Sequence, residues 1–357
     1  MAVLEERITK PSKQETEHMT RWTRRPDGSN WGEFGEDDRI GRLNLLTPDR
    51  VKQAAAEVKE GRTFCLSLPL DYPGGRELAP HRFPPELRPT QRQGRDYFNY
   101  PFSNEGGHYC DGGCDDSVLL CTQYSTQWDS LYHIGQFFDA DGDGEAELVY
   151  YNGFRALPHA HSGVAAESGE PSYPPLGIER MAEACVQGRG VMVDLASHFG
   201  RERRLVGYDD LISVLEKDNV VVETGDIVCF RTGFAELVLE MQRKPDRNVL
   251  HNSCSVLDGS DERLLAWITS SGLAAIAADN YAVESIPARQ RGDGPHAFVP
   301  LHSHCLFKLG IHLGELWSLG ELNAWLRAHG RNRFLLTAPP LRLPGAAGSP
   351  VTPIATV

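Results

Sequence analysis

No run in this chain is apolar for long enough to cross a bilayer, and its opening residues, MAVLEERITKPSKQETEH, lack the apolar core of a signal peptide. Basic excess is missing too, since 36 Lys and Arg stand against 49 Asp and Glu, a net charge of −13. Without a basic stripe, nucleic acid and anionic membrane surfaces are excluded as natural partners. The acidic residues form no long run, so they read as solubility charge rather than an interaction tail. A cytoplasmic protein is expected. Cysteine is scattered: of eight, only Cys110, Cys114 and Cys121 cluster, and three thiols without a fourth partner make a poor zinc knuckle. Reduced, mostly buried thiols are expected rather than disulfides. There is no G-x-S-x-G elbow and no G-x-x-x-x-G-K-[ST] phosphate loop. The two glycines of GRGVMVD (188–194) precede a strand, the wrong order for a dinucleotide turn.

What is present suits one large α/β domain. Hydrophobic residues make up 40% and charged residues 24%, which places the chain among ordinary globular proteins. Residues 1–28 read as a polar N-terminal arm, and 29–357 as the domain. Thr47-Pro48 followed by DRVKQAAAEVKEG predicts a capped helix ending at Gly61. TFCLSLPL (63–70) alternates like a strand, and VMVDL, DIVCF and LAAIAA are short apolar strand candidates. GIERMAEACVQG, YDDLISVLEKD, DERLLAWITSSG and LGELNAWLRAHG carry helical periodicity. Residues 71–116 are rich in Pro, Gly and Arg without periodicity, as expected of a functional loop or a subunit-crossing excursion.

Three stretches offer chemistry. Residues 123–129, QYSTQWD, follow the apolar run SVLLC (117–121), which reads as a buried strand. If 123–129 continue extended, Gln123, Ser125, Gln127 and Asp129 share one face, while Tyr124, Thr126 and Trp128 share the other. Four aligned polar side chains beside a buried strand must face a cavity, a ligand or one another. His133 lies a short turn beyond Asp129. A polar network at a strand end is the plainer reading of the same residues. The second stretch, LHSHCLFKLGIHLGE (301–315), contains three histidines and Glu315. His302, after Pro300 and ahead of an apolar run, suits inward projection, and imidazole with carboxylate ligates Zn²⁺ or Mn²⁺. His304 and His312 read as ordinary helix or surface residues. The third, DADGDG (139–144), opens like a calcium loop, but position 12 is Tyr150 where a bidentate carboxylate is required, so it reads as a polar turn.

These residues, with SNWGEFGEDDRIGRLNLLTP (29–48), RGVMVDLA (189–196), GDIVCFRTG (225–233) and AADNYAVESIP (277–287), resemble the metal-dependent cyclase-family hydrolases, which include kynurenine formamidase and isatin hydrolase. The resemblance runs from about residue 29 to the C-terminal RLPGAAGSPVTPIA. It implies a single domain of the swivelling β/β/α type, with a mixed sheet and flanking helices. It further implies hydrolysis of a small-molecule amide, formamide, lactam or lactone through a divalent metal, in a homo-oligomer, a dimer or tetramer. The family pattern H-x-G-T-H-x-D-x-P-x-H falls on Gln123-x-Ser125-Thr126-Gln127-x-Asp129-x-Leu131-x-His133, so two metal histidines are glutamine here. The later histidine and glutamate fall on His302 and Glu315. The resulting expectation is one ion, Zn²⁺ or Mn²⁺, shifted onto Asp129, His302 and Glu315, with Gln123 and Gln127 as weak or outer ligands. His133 is expected as general base, with Asp129 and His302 also serving catalysis. Ser125 or Gln127 would donate to an oxyanion, Trp31 and Trp128 would line a pocket, and Asp279 and Glu284 would support the site from behind. Two alternatives stay open: a metal-independent cyclase or lyase on the same scaffold, and a catalytically inactive binding protein.

Overall fold

The computed structural model describes residues 21–156, 174–290, 294 and 296–357. Most of the N-terminal arm expected at 1–28 therefore lies outside the described residues. The centre is a nine-stranded mixed sheet. Its strands are β1 (Thr63–Cys65), β2 (Gln127–Asp129), β3 (Gln187–Asp194), β4 (Ile227–Arg231), β5 (Ala275–Ala278), β6 (His312–Glu315), β7 (Arg333–Thr337), β8 (Gly348–Pro350) and β9 (Ile354–Thr356). Spatial order is β1-β9-β7-β3-β4-β5-β6-β2-β8. The four middle strands, β3 to β6, run parallel, and every other pairing is antiparallel.

Parallel strands are covered on both faces, which is why their sequences read as nearly unbroken apolar runs. Alternate residues divide between two cores. Val191, Val193, Val228, Phe230, Ile276 and Leu313 pack into one, and Met192, Ile227, Cys229, Ala275 and Ala277 into the other. Helices at Tyr208–Lys217, Glu262–Ser271 and Gly320–Ala328 lie where the periodicity predicts them. The Pro48–Ala55 helix has its Thr47 cap but ends before Gly61. No helix among the described residues is long and apolar enough to cross a membrane.

Several local expectations are overturned. The helix predicted over 177–188 shortens to Glu179–Glu183, because Cys185 takes φ 56° and Gln187 already belongs to β3. Of TFCLSLPL only Thr63–Cys65 joins the sheet. Asp116–Leu119 is a strand but an exposed one, paired with Glu86–Pro89 in a separate ribbon that leaves Val118 and Leu119 half in solvent. The 71–116 segment thus contains three small two-stranded ribbons, 86–89 with 116–119, 91–92 with 95–96, and 100–101 with 112–113. The cysteines are all free, but only Cys229, Cys254 and Cys305 are buried; Cys110 and Cys114 lie in the exposed chain on either side of the 112–113 strand.

Candidate metal centre

Strand register assembles the site. In the antiparallel pair β6–β2, Glu315 faces Gln127 and Gly314 faces Trp128. Directly opposed side chains stand about 5 Å apart on one face, and Asp129, two residues beyond Gln127, shares that face. Trp128 points to the other core. The third group arrives from the turn Pro300–His302, which continues into a seven-residue π-helix, Ser303–Leu309, in place of a plain α-helix. Such bulges frequently occur at functional sites.

Asp129, His302 and Glu315 each offer a ligand atom, and these atoms lie within 4.8 Å of one another. All three are nearly inaccessible. His302 Nε2 is 3.3 Å from Glu315 Oε1, and the Gln127 amide nitrogen donates to both carboxylates at 3.3 Å. Two polar atoms in this nest have no hydrogen-bond partner, Gln127 Oε1 and Asp129 Oδ2. Buried orphans of this kind are uncommon and call for a ligand.

The electrostatics say the same. Burial, and then the neighbouring Glu315, push the Asp129 carboxyl well above the usual carboxylate range. Glu315 is held below its ordinary value, because the His302 hydrogen bond and charge outweigh its burial. Two carboxylates this close and this dry need a proton or a cation between them. For His302, burial disfavours the charge, but hydrogen bonds to Glu284 and Glu315 outweigh it and push the ring up to about 10. Its Nδ1 lies 2.8 Å from Glu284 Oε1. That contact fixes Nδ1 as a donor to Glu284 and turns Nε2 towards the two carboxylates, where a cation would take the place of its proton, the usual outer support of a metal-binding histidine.

Glu284 is itself built in. It accepts the backbone N–H groups of Leu301 and His302 at 3.0 and 2.8 Å. It follows Ala282 and Val283, both at positive φ (67° and 57°), a strained pair for residues with Cβ atoms. Gly259 makes room for it: a Cβ there would lie 2.0 Å from Glu284 Oε2. Replacing Glu284 with glutamine is expected to weaken metal binding roughly 10–100-fold with the fold retained, read by competition against a chelating dye. An unchanged affinity would remove Glu284 from this role.

His133 stands beside the triad. Its Nε2 is 3.9 Å from Asp129 Oδ1, its Nδ1 is 3.5 Å from Gln123 Nε2, and its ring centroid is 6.3 Å from that of His302. Burial, and then His302, lower its pKa to about 4, so the ring is neutral at pH 7. Asp279 supports the scaffold, accepting from Thr232 N, Thr232 Oγ1 and Gly233 N and so tying the loop after β4 to the end of β5.

Other expected positions fall elsewhere. Residues 122–126 turn rather than extend, so only Gln127 and Asp129 share the site face. The Gln123 side chain meets His133 and accepts from the Thr122 hydroxyl rather than joining the triad, and the Ser125 hydroxyl turns to the Pro69 carbonyl at 3.4 Å. Trp31 and Trp128 are wholly buried core residues. Their indoles donate to the carbonyls of Phe307 and Ala338, and their rings meet Phe307 and Trp317 edge-on, which places neither on a pocket wall. His304 meets the Thr269 hydroxyl at 2.8 Å, and His312 is buried in β6. Asp139, Asp141 and Asp143 do converge, yet as a turn: Asp139 accepts from Gly142 and Gly144, and Arg155 pairs with Asp141. Sequence reasoning missed Arg82, which donates to the Gln123 carbonyl at 2.5 Å from within the irregular segment. One arginine in an Arg-rich loop gives no signal of its own.

The family model described as putative cyclase matches residues 42–285. No curated protein matches the chain. A crystal structure described as a novel cyclase is 30% identical, with 92% of this chain and 97% of that one aligned at a TM-score of 0.70. Isatin hydrolase A from Labrenzia aggregata, bound to benzyl benzoate, is 13% identical over 85% of this chain and 98% of its own, with a TM-score of 0.52. Isatin hydrolase A from Ralstonia solanacearum is 15% identical over 87% and 97%, also with a TM-score of 0.52. The two hydrolases share the fold. A family match from Arg42 to Ser285, together with a 30% identical relative aligned along nearly the whole chain, shows that this chain belongs to the cyclase family.

Proposed function

We propose that this chain hydrolyses a small-molecule amide, formamide, lactam or lactone, using one divalent ion held by Asp129, His302 and Glu315. The observation that carries the proposal is the convergence of three buried ligand atoms within 4.8 Å, with Gln127 Oε1 and Asp129 Oδ2 left unpartnered beside them. Two carboxylate oxygens, one imidazole nitrogen and an amide oxygen form a mixed N/O set suited to Zn²⁺ or Mn²⁺. Bound there, the ion would supply Lewis acidity and a lowered pKa for water.

The protein's own groups have separate tasks. Glu284 holds the His302 ring so that Nε2 faces the carboxylates. Asp129 and Glu315 bring the negative charge that a cation answers. Neutral His133 takes a proton on its bare nitrogen and returns it to the leaving group. Gln127 stays close enough to both carboxylates to orient them. Two proteins of the same fold are named isatin hydrolases, which supports the choice of a hydrolytic reaction. The homo-oligomer belongs to the same reading, supported by Leu87, Val118 and Leu119 exposed on the 86–119 ribbon, and sedimentation tests it.

A metal-independent cyclase or lyase is the second reading, favoured by the 30% identical structure being described as a cyclase. One experiment separates them. Turnover of a panel of formamides, lactams and lactones is expected to vanish after chelation and to return with Zn²⁺ or Mn²⁺. Turnover that survives chelation supports the second reading, and no turnover by the metal-loaded protein refutes hydrolysis.

A further inference from the structure

The described groups at the centre are strongly acidic: Asp129, Glu284 and Glu315 surround His302. An anionic ligand approaching them requires a permanent cation nearby. Arg82 occupies that place. Its Nη1 donates to the Gln123 carbonyl at 2.5 Å, and the Gln123 side chain touches His133 at 3.5 Å, so Arg82 is one residue removed from the general base. No carboxylate among the described residues pairs with it. Many other arginines here are engaged, for example Arg189 with Asp226 and Arg243 with Asp71.

Arg82 also lines a narrow cleft with Arg76, Tyr124 and the backbone of Gly74 and Gly75, and no acidic residue lines it. Of the acids nearest in sequence, Glu77 is exposed and does not line the cleft, Glu86 pairs with Arg88, and Asp71 beyond them is held by Arg243. The Tyr124 hydroxyl donates to the Gly75 carbonyl, and burial pushes its pKa up to about 12, so it adds no charge. The cleft is therefore cationic. Arg82 links this cleft to the centre through Gln123, whose carbonyl it holds and whose side chain meets His133. With one nitrogen committed to a carbonyl, the guanidinium keeps the fork that grips a carboxylate through two parallel hydrogen bonds.

We propose that Arg82 is the recognition residue for a carboxylate, so that the ligands of this site are acyl compounds bearing a carboxylate close to the reacting carbonyl or releasing one on hydrolysis. The inference rests on the hydrolase reading for its substrate class, but its test does not require turnover. The probes are benzoate and its neutral counterpart benzamide, titrated calorimetrically into wild type, Arg82→Gln and Arg82→Lys. Wild type is expected to prefer benzoate by at least about tenfold, the range of a charge-assisted hydrogen bond. Arg82→Gln is expected to lose that preference at unchanged metal content, and Arg82→Lys to keep part of it through charge without the fork. Should Arg82→Gln not fold, the lysine variant carries the comparison.

Equal affinity of wild type for both probes, or a benzoate preference that survives both substitutions, would overturn the proposal. A turnover arm identifies the source. A KM raised only for substrates with a fixed carboxylate places it on the substrate, and product inhibition relaxed in Arg82→Gln places it on the product. Failure of turnover across all substrates would sink the hydrolase reading while leaving the benzoate result standing.

Discussion

His133→Ala is expected to lower kcat by about 10²-fold, the lower end of the range for a positioned acid–base group, with bound metal unchanged. The lower end follows from the environment of the ring. Burial and the neighbouring His302 hold its pKa at about 4, well under the ordinary 6.5, so it is a weak base at neutral pH. What it offers is position: it is partly buried and 3.9 Å from Asp129. Since the active form is the neutral ring, activity is expected to fall as pH drops through about 4 and not near 6.5. A pH–rate profile of wild type against His133→Ala checks both points. A variant with wild-type kcat would assign the proton transfer elsewhere.

The second large effect is on stability. Asp129→Asn is expected to raise the melting temperature of the metal-free protein and to abolish its response to metal. Asp129 and Glu315 are two buried carboxyl groups sharing one amide, and removing one relieves repulsion that His302 and Arg82 offset only in part in the metal-free site. In wild type the ion performs that task, and its binding stabilises by mass action, about 2.7 kcal/mol at a hundredfold excess over Kd. Calorimetric melting with and without Zn²⁺ or Mn²⁺ measures both quantities. A metal-free Asp129→Asn less stable than metal-free wild type would mean that the carboxylate is satisfied by the protein alone.

Much of this was legible in the sequence where one residue type has one common reason to be present. Three of the four parallel strands announced themselves because burial on both faces leaves little choice beyond Val, Ile, Leu and Ala; β6, HLGE, did not, since its site residues break the apolar run. Asp129, His302 and Glu315 were legible through the family resemblance, and strand register brings two of them together. The loop 122–126 was not legible, because a turn and an extended strand accept the same polar residues; the difference is decided by Thr126, whose hydroxyl serves Leu68 and Leu316. Trp31 and Trp128 could not be assigned either, since an indole that packs and an indole that lines a pocket look alike in sequence. Arg82 depends wholly on the path of an irregular segment, which no periodicity encodes.

The most direct measurement is the metal content of the purified, reconstituted chain by elemental analysis, alongside His302→Ala and Glu315→Ala. The account predicts one divalent ion per chain in wild type and none in either variant. A wild type that takes up no ion from excess Zn²⁺ or Mn²⁺, or variants that retain it in full, would contradict it.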